Sequence, residues 1–311
     1  MEQKQEFNEH FKIILLGNNF VGKSRLLLTY CGGQFYISDE YMDTMGVDQG
    51  IKKLKVFNKI IQLRIWDASG SPKLLKIVSS YFRSVDGALI CFDLTNRKSF
   101  IDTKGHIGRL REVKKNIPMI LVGCKADLDK RRDISLLEAK EWAKQLGVSY
   151  LEVSSLAKEN IEQPFTLITN QIYIAAQLNR LKPKLEECLN HYLQIVHPPS
   201  RSNFFSEQNS DLGKEGALKE EYKILYEKLL LTRSADELKD IEKDIMPLLD
   251  KANDCYKVSS PFLSSFVSSP LAKALKQTLD CLKELLAETQ NFPTDKEMVY
   301  PKKLESMQMV V

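Results

Sequence analysis

Gly17-Asn18-Asn19-Phe20-Val21-Gly22-Lys23-Ser24 sets two glycines, a lysine and a hydroxyl at the spacing G-x-x-x-x-G-K-S, directly after the apolar run Phe11 to Leu16. Residue types in that order suit phosphate chemistry. The glycines let the backbone turn tightly enough to aim successive N–H groups at phosphate oxygens, and a helix opening at Lys23 adds the positive end of its dipole. Lys23 would reach the β- and γ-phosphates, Ser24 would hold Mg²⁺, and Arg25 would complete the contacting run. Read alone, the loop predicts a nucleotide without saying which one.

The elements that must position this loop follow from periodicity. From Phe11 to about Arg180, short β-branched or apolar runs alternate with amphipathic helical stretches, the pattern of a mostly parallel sheet flanked by helices. Strands are predicted at 11–16, 50–57, 60–66, 87–92, 118–123 and 149–153, the second and third joined by a short hairpin at Asn58-Lys59. Ser135-x-x-Glu138 and Asn160-x-x-Gln163 have capping-box spacing, which predicts helices over 138–146 and from about 163 to about 180.

After residue 180 the strand pattern stops. Stretches 182–196, 216–231, 234–250 and 270–289 place apolar residues at helical spacing, with Leu271, Leu275, Leu279, Leu282 and Leu286 on one side of the last. Ser234-x-x-Glu237 and Pro270 mark helix starts. The expected organisation is an α/β domain over 10–180, a helical extension over 181–290 and a disordered tail over 291–311.

Composition narrows the classes. There is no run of about 18 apolar residues for a membrane span, and the polar start Met1 to Glu6 lacks the profile of a signal peptide and the second-position glycine that myristoylation needs. The six cysteines are scattered without C-x-x-C or metal spacing, which fits a reducing compartment. Residues 1–180 carry 27 Lys and Arg against 20 Asp and Glu, and residues 181–311 carry 18 against 21. The front half therefore suits a polyphosphate, and no basic cluster argues for nucleic acid.

Further clusters choose the nucleotide. Thr44-Met45-Gly46-Val47-Asp48, Leu63 to Gly70 with Trp66-Asp67-Ala68-Ser69-Gly70, Ser79-Ser80-Tyr81-Phe82-Arg83, Cys124-Lys125-Ala126-Asp127-Leu128 and Glu152-Val153-Ser154-Ser155 follow the loop in order. Together they resemble the Ras superfamily of small GTPases, its Rab branch above all, over roughly residues 10–178. The resemblance implies a P-loop NTPase fold with a six-stranded mostly parallel sheet, an appended all-α extension, and GTP/GDP with Mg²⁺ as ligands. It implies that Asp127 reads the guanine N–H groups, a charge-assisted pair that adenine cannot supply. The Lys125 stem would lie along the base, Ser154 would order its loop, the Ser155 amide would face the guanine carbonyl beside Leu156, and Phe35 would stack on the base. Ser24, Thr44 and Asp67 would hold Mg²⁺, while Thr44 and the Gly70 amide would sense the γ-phosphate.

Several positions depart from the family. Where a glutamine usually orients the attacking water stands Ser71, too short to bridge water and phosphate in the same way, so slow hydrolysis is expected unless another residue or a partner positions the water. Ser69-Gly70-Ser71-Pro72 is also similar to the switch II of the GTP-held Rnd-type Rho proteins. Phe20 is bulky at a place usually small, so its ring must point outward or crowd the phosphates. Cys124 replaces the asparagine that ties the base loop to the phosphate loop, a loss of about tenfold in affinity. Phe35 and Thr44 lie nine positions apart where Rab proteins usually have seven, which puts the register of Thr44 in question. The chain ends without the prenylated cysteines of Rab proteins, so no direct lipid anchor is expected.

The reading is a Rab-like guanine-nucleotide switch in vesicle traffic or signalling, with Ser71, Lys23 and Thr44 at the catalytic positions. An exchange factor, a GTPase-activating protein and effectors would meet its switch regions. It would be cytoplasmic, peripheral at a membrane through partners, or in a host cytosol should the chain come from an intracellular microbe. The alternative is a GTP-locked or nucleotide-weak scaffold that imitates a Rab surface; a third reading makes the helical extension the functional part.

Overall fold

The computed structural model describes residues 8–32, 47–56 and 59–196, and farther on isolated helical positions between 221 and 287. Six strands form one sheet: β1 (Glu9–Leu16), β2 (Val47–Val56), β3 (Lys59–Ala68), β4 (Gly87–Asp93), β5 (Met119–Cys124) and β6 (Ser149–Val153). Their order is β2-β3-β1-β4-β5-β6, parallel throughout except for β2 against β3. The strands expected from periodicity are all present. The β2/β3 ladder reaches Val56↔Lys59, so Lys59 belongs to the strand and not to the connection.

Central strands of a parallel sheet are covered on both faces, which is why they read as continuous apolar runs. Every residue of β4 and β5 is buried, and Ile13, Ile14 and Leu15 of β1 are fully enclosed. On one side Phe92, Phe100 and Tyr150 make an aromatic core with Trp142, whose indole N–H donates to Thr103 Oγ1 at 3.0 Å. Helices α1 (Lys23–Cys31), α2 (Leu75–Ser80), α3 (Arg97–Ile101), α4 (Thr103–Val113), α5 (Leu136–Leu146) and α6 (Gln163–Val196) connect or flank the strands. The capping signal before α5 is realised: Ser135 Oγ accepts the Glu138 amide at 3.1 Å.

From β1 the chain passes to one side of the sheet for β2 and β3, then returns to the other side for β4. The crevice at this switch point, outside the carboxyl ends of the strands, is where an α/β sheet offers a ligand site. Gly17 follows β1, Asp67 is the penultimate residue of β3, Asp93 closes β4, Lys125 follows β5 and Ser154 follows β6. All the sequence-predicted residues that the structure describes are delivered to that one edge.

The described residues fall into two compact units, one running to Ile172 and one from Tyr173. The helix expected to end near residue 180 is a single element to Val196, with Pro183 inside it. One proline removes one amide donor from the ladder, and the remaining 3.6-residue pattern carries the helix past it. In the second unit, residues 239–248 are helical, and Ile241, Ile245 and Leu248 are buried at helical spacing, as are Leu279 and Leu282. Lys228 pairs with Asp244 at 2.5 Å. Residues 291–311 lie outside the described residues.

One buried ion pair locks the loop after β5 to β6. Arg132 donates to Glu152 at 3.0 and 2.7 Å, and Tyr150 Oη donates to the same carboxylate at 2.7 Å. The Glu152 side chain is 0% exposed and that of Arg132 12%. Removing one partner strands a buried charge, which costs more than the pair itself contributes. Arg132→Ala is therefore predicted to lower unfolding stability by about 3 kcal/mol in urea titration, whereas a loss below about 1 kcal/mol would show the pair to be solvated.

Candidate functional site

The loop after β1 is shaped by what cannot fit there. A Cβ on Gly17 would lie 2.1 Å from the Cys91 carbonyl oxygen of β4, and Gly17 has φ 146°. Only glycine can leave β1 along that path. Gly22, at φ 115°, opens α1 with no side-chain cap and no acidic residue in the first turn. Val21 anchors the loop in the core. Lys23 is 6% exposed, and its ammonium folds back over the loop to donate to Gly17 O at 3.0 Å and Asn18 O at 2.8 Å.

Phe20 takes the outward of its two expected directions and is 58% exposed. Its φ of 63° was not foreseen: a bulky residue in the left-handed region is an outlier that glycine would relieve.

Asn18 is held from the side by α4. Its Nδ2 donates to Asp102 Oδ2 at 2.7 Å, and its Oδ1 accepts from His106 Nε2 at 3.0 Å. Arg109 donates to His106 Nδ1 at 3.1 Å. Burial, then the positive charges of Arg109 and Lys23, push the imidazole down to about 4 against the opposing pull of Asp102. Sequence reasoning missed these three residues. Their only signal was spacing, since positions 102, 106 and 109 share one helical face.

The side expected to meet a γ-phosphate is built by β3 and the segment after it. Asp67 is 1% exposed, and its Oδ1 atom is enclosed. Ser69 is buried, and its Oγ accepts the Ser71 amide at 3.2 Å. Gly70 lies against the loop: a Cβ there would be 2.3 Å from Asn19 N, 2.4 Å from Asn18 C and 2.7 Å from Asn18 O. Farther on, Phe82 is buried and Tyr81 meets Trp66 edge-on at 4.7 Å. Phe35 and Thr44 lie outside the described residues; Val47 and Asp48 of the same cluster open β2.

The side expected to meet the base is built by the segments after β5 and β6. Ser154 is fully buried, and its hydroxyl donates to Asp127 Oδ1 at 2.5 Å while accepting the Ala157 amide at 2.9 Å. The Asp127 carboxylate is thus aimed but still exposed. Lys125, at φ 64°, donates to Asp93 Oδ2 at 2.6 Å, a partner that the motif did not reveal. Asp93 Oδ1 takes the Thr95 amide and hydroxyl, both at 2.8 Å. Cys124 is buried, and the Gly22 Cβ position lies 3.4 Å from its Cβ. Contact between the two loops is van der Waals at this point. The neighbouring Cys124 thiol, together with burial, pushes the Cys91 thiol well up, which leaves it protonated and inert. Ser155 is half-buried beside Leu156, which is exposed.

A sequence profile of the Ras family matches residues 12–174. The chain belongs to the Ras family. Within it the resemblance is to Rab proteins. The chain is 34% identical over 174 residues to the Ras-related protein Rab-11C of Dictyostelium discoideum, which covers 56% of this chain and 77% of that protein. It is also 34% identical over 164 residues to the Ras-related protein Rab11A of Lotus japonicus, covering 52% and 72% respectively. It is a Rab-like small GTP-binding protein, a reading these relatives favour over a scaffold that merely imitates a Rab surface. Ras family proteins bind GTP or GDP with Mg²⁺.

The described residues fit such ligands. An uncapped helix start, a cradle with no room for a Cβ at Gly17, the Lys23 ammonium over the loop and the enclosed Asp67 oxygen form a donor set for polyphosphate and a hard cation.

The histidine on α4 supplies a direct test of this geometry. Its ring signals are predicted to stay those of a neutral imidazole with the proton on Nε2 from pH 8 down to about pH 5 in a nuclear magnetic resonance titration. A midpoint near the ordinary histidine value, about 6.5, would contradict the burial and the bonding of His106.

Proposed function

We propose that this chain is a Rab-like switch serving vesicle traffic, one that holds GTP with Mg²⁺ and hydrolyses it slowly. The observation that carries the reading is the close approach of Gly70 to Asn18 and Asn19. The segment whose amide would meet a γ-phosphate lies directly on the loop that would hold it, so loss of that phosphate would release the segment.

Lys23 would bind the β- and γ-phosphates with the amides of Gly17 to Ser24 and Arg25 around them. Ser24, Thr44 and Asp67 would hold Mg²⁺, which when bound neutralises charge on the phosphates. Asp127 would select guanine, supported by the Ser154 hydroxyl that aims it. Lys125, Ser155 and Leu156 would line the base and Phe35 would cover it. Because Lys125 is drawn to Asp93 and Cys124 offers Gly22 only apolar contact, base-side affinity would be lower than an asparagine at 124 would give.

Hydrolysis is limited by Ser71. Its amide is tied to Ser69 Oγ, and its side chain ends too close to the backbone to orient a water between itself and the γ-phosphate. Exchange factors, activating proteins and effectors would engage the switch segments. Among the described residues no helix is long and apolar enough to cross a membrane, so peripheral attachment through partners is the proposed location.

The test is single-turnover release of inorganic phosphate from GTP-loaded protein. Wild type should release it slowly, and Ser71→Gln should accelerate release about tenfold or more by restoring a water-positioning amide. No release from either protein would overturn the hydrolytic reading, and equal rates would move the limit away from Ser71.

A further inference from the structure

Asn18 is the junction of the phosphate site. Its carbonyl oxygen accepts the Lys23 ammonium at 2.8 Å, and Gly70 sits so close that a Cβ would come within 2.7 Å of the same oxygen. Its side chain is gripped by Asp102 and His106 of the α4 segment. We propose that His106 is a positioning residue for nucleotide binding: through Asn18 it fixes the peptide on which the phosphate-loop lysine and the switch glycine both bear.

The directions of the hydrogen bonds admit one arrangement. A carboxylate only accepts, so Asp102 orients the Asn18 amide with Nδ2 towards itself and Oδ1 towards the ring. Guanidinium only donates, so Arg109 takes the Nδ1 lone pair and the ring proton lies on Nε2, facing Asn18 Oδ1. Each donor in the chain from Arg109 to His106 to Asn18 to Asp102 meets an acceptor. A network of this kind is stiff at its centre, because neither His106 nor Asn18 can turn without breaking two bonds.

Asp102 is the turn residue between α3 and α4, in helical φ/ψ, and its side chain makes no capping bond. The carboxylate is turned to the loop instead. His106 is 8% exposed, a place where an apolar side chain would pack without needing partners. There the ring meets its polar partners, Arg109 and Asn18.

The inference rests on the guanine-nucleotide reading above. The experiment is dissociation of a fluorescent guanosine diphosphate from the full chain, chased with excess unlabelled nucleotide. His106→Leu and Asn18→Ala should each speed release about tenfold. The double variant should be no more than about twice as fast as either single, because both break the same link. His106→Gln, whose amide can donate to Asn18 Oδ1, should recover to within about threefold of wild type. Should His106→Leu fail to fold, Asn18→Ala and His106→Gln give the same readings at milder cost. Release at the wild-type rate from folded variants, or about a hundredfold multiplicative effect in the double variant, would overturn the positioning role. Wild type that retains no guanine nucleotide would overturn the reading beneath it.

Discussion

The contact between Gly17 and the Cys91 carbonyl governs the course of the whole phosphate loop. With only 2.1 Å available for a side-chain atom, the chain must leave β1 pressed against β4, and the loop to Ser24 is laid down from that point. Its course brings the carbonyls of Gly17 and Asn18 within reach of Lys23, sets Gly22 against Cys124 and offers Asn18 and Asn19 to Gly70. A rigid parallel sheet makes this possible, since fully buried β4 and β5 cannot shift to relieve a crowded neighbour.

Support for the loop is uneven on its two flanks. Towards the base, Cys124 gives apolar contact where the family's asparagine would hydrogen-bond. Towards α4, Asp102, His106 and Arg109 supply a polar chain ending on Asn18. The strained φ of Phe20 lies between these flanks, where both ends of the loop are already held. The loop is thus held by hydrogen bonds on its α4 flank and by packing on its Cys124 flank.

How much of this could be read beforehand depended on whether a signal was local. Alternating apolar runs disclosed all six strands, because parallel strands buried on both faces leave no other pattern, and Gly17 to Ser24 disclosed the loop because each residue type there has a task. Ser154 was expected to order the base loop, and the structure places its hydroxyl on Asp127. The α4 network was invisible because it joins residues 84 to 88 positions apart through side chains that carry no motif. Lys125 pairing with Asp93 is likewise a long-range contact. The end of α6 lies farther on than expected, because the helix on either side of Pro183 carries the chain past the one amide donor that the proline lacks.

Guanine selection would rest on a site built from Gly17 to Ser24 at one end and Asp127 at the other. Mass spectrometry of the nucleotide released from the full chain, purified without added nucleotide in Mg²⁺-containing buffer, tests that most directly. The prediction is GTP or GDP in a near-stoichiometric amount; adenine nucleotide, or protein that binds neither class when GTP is supplied, would contradict it.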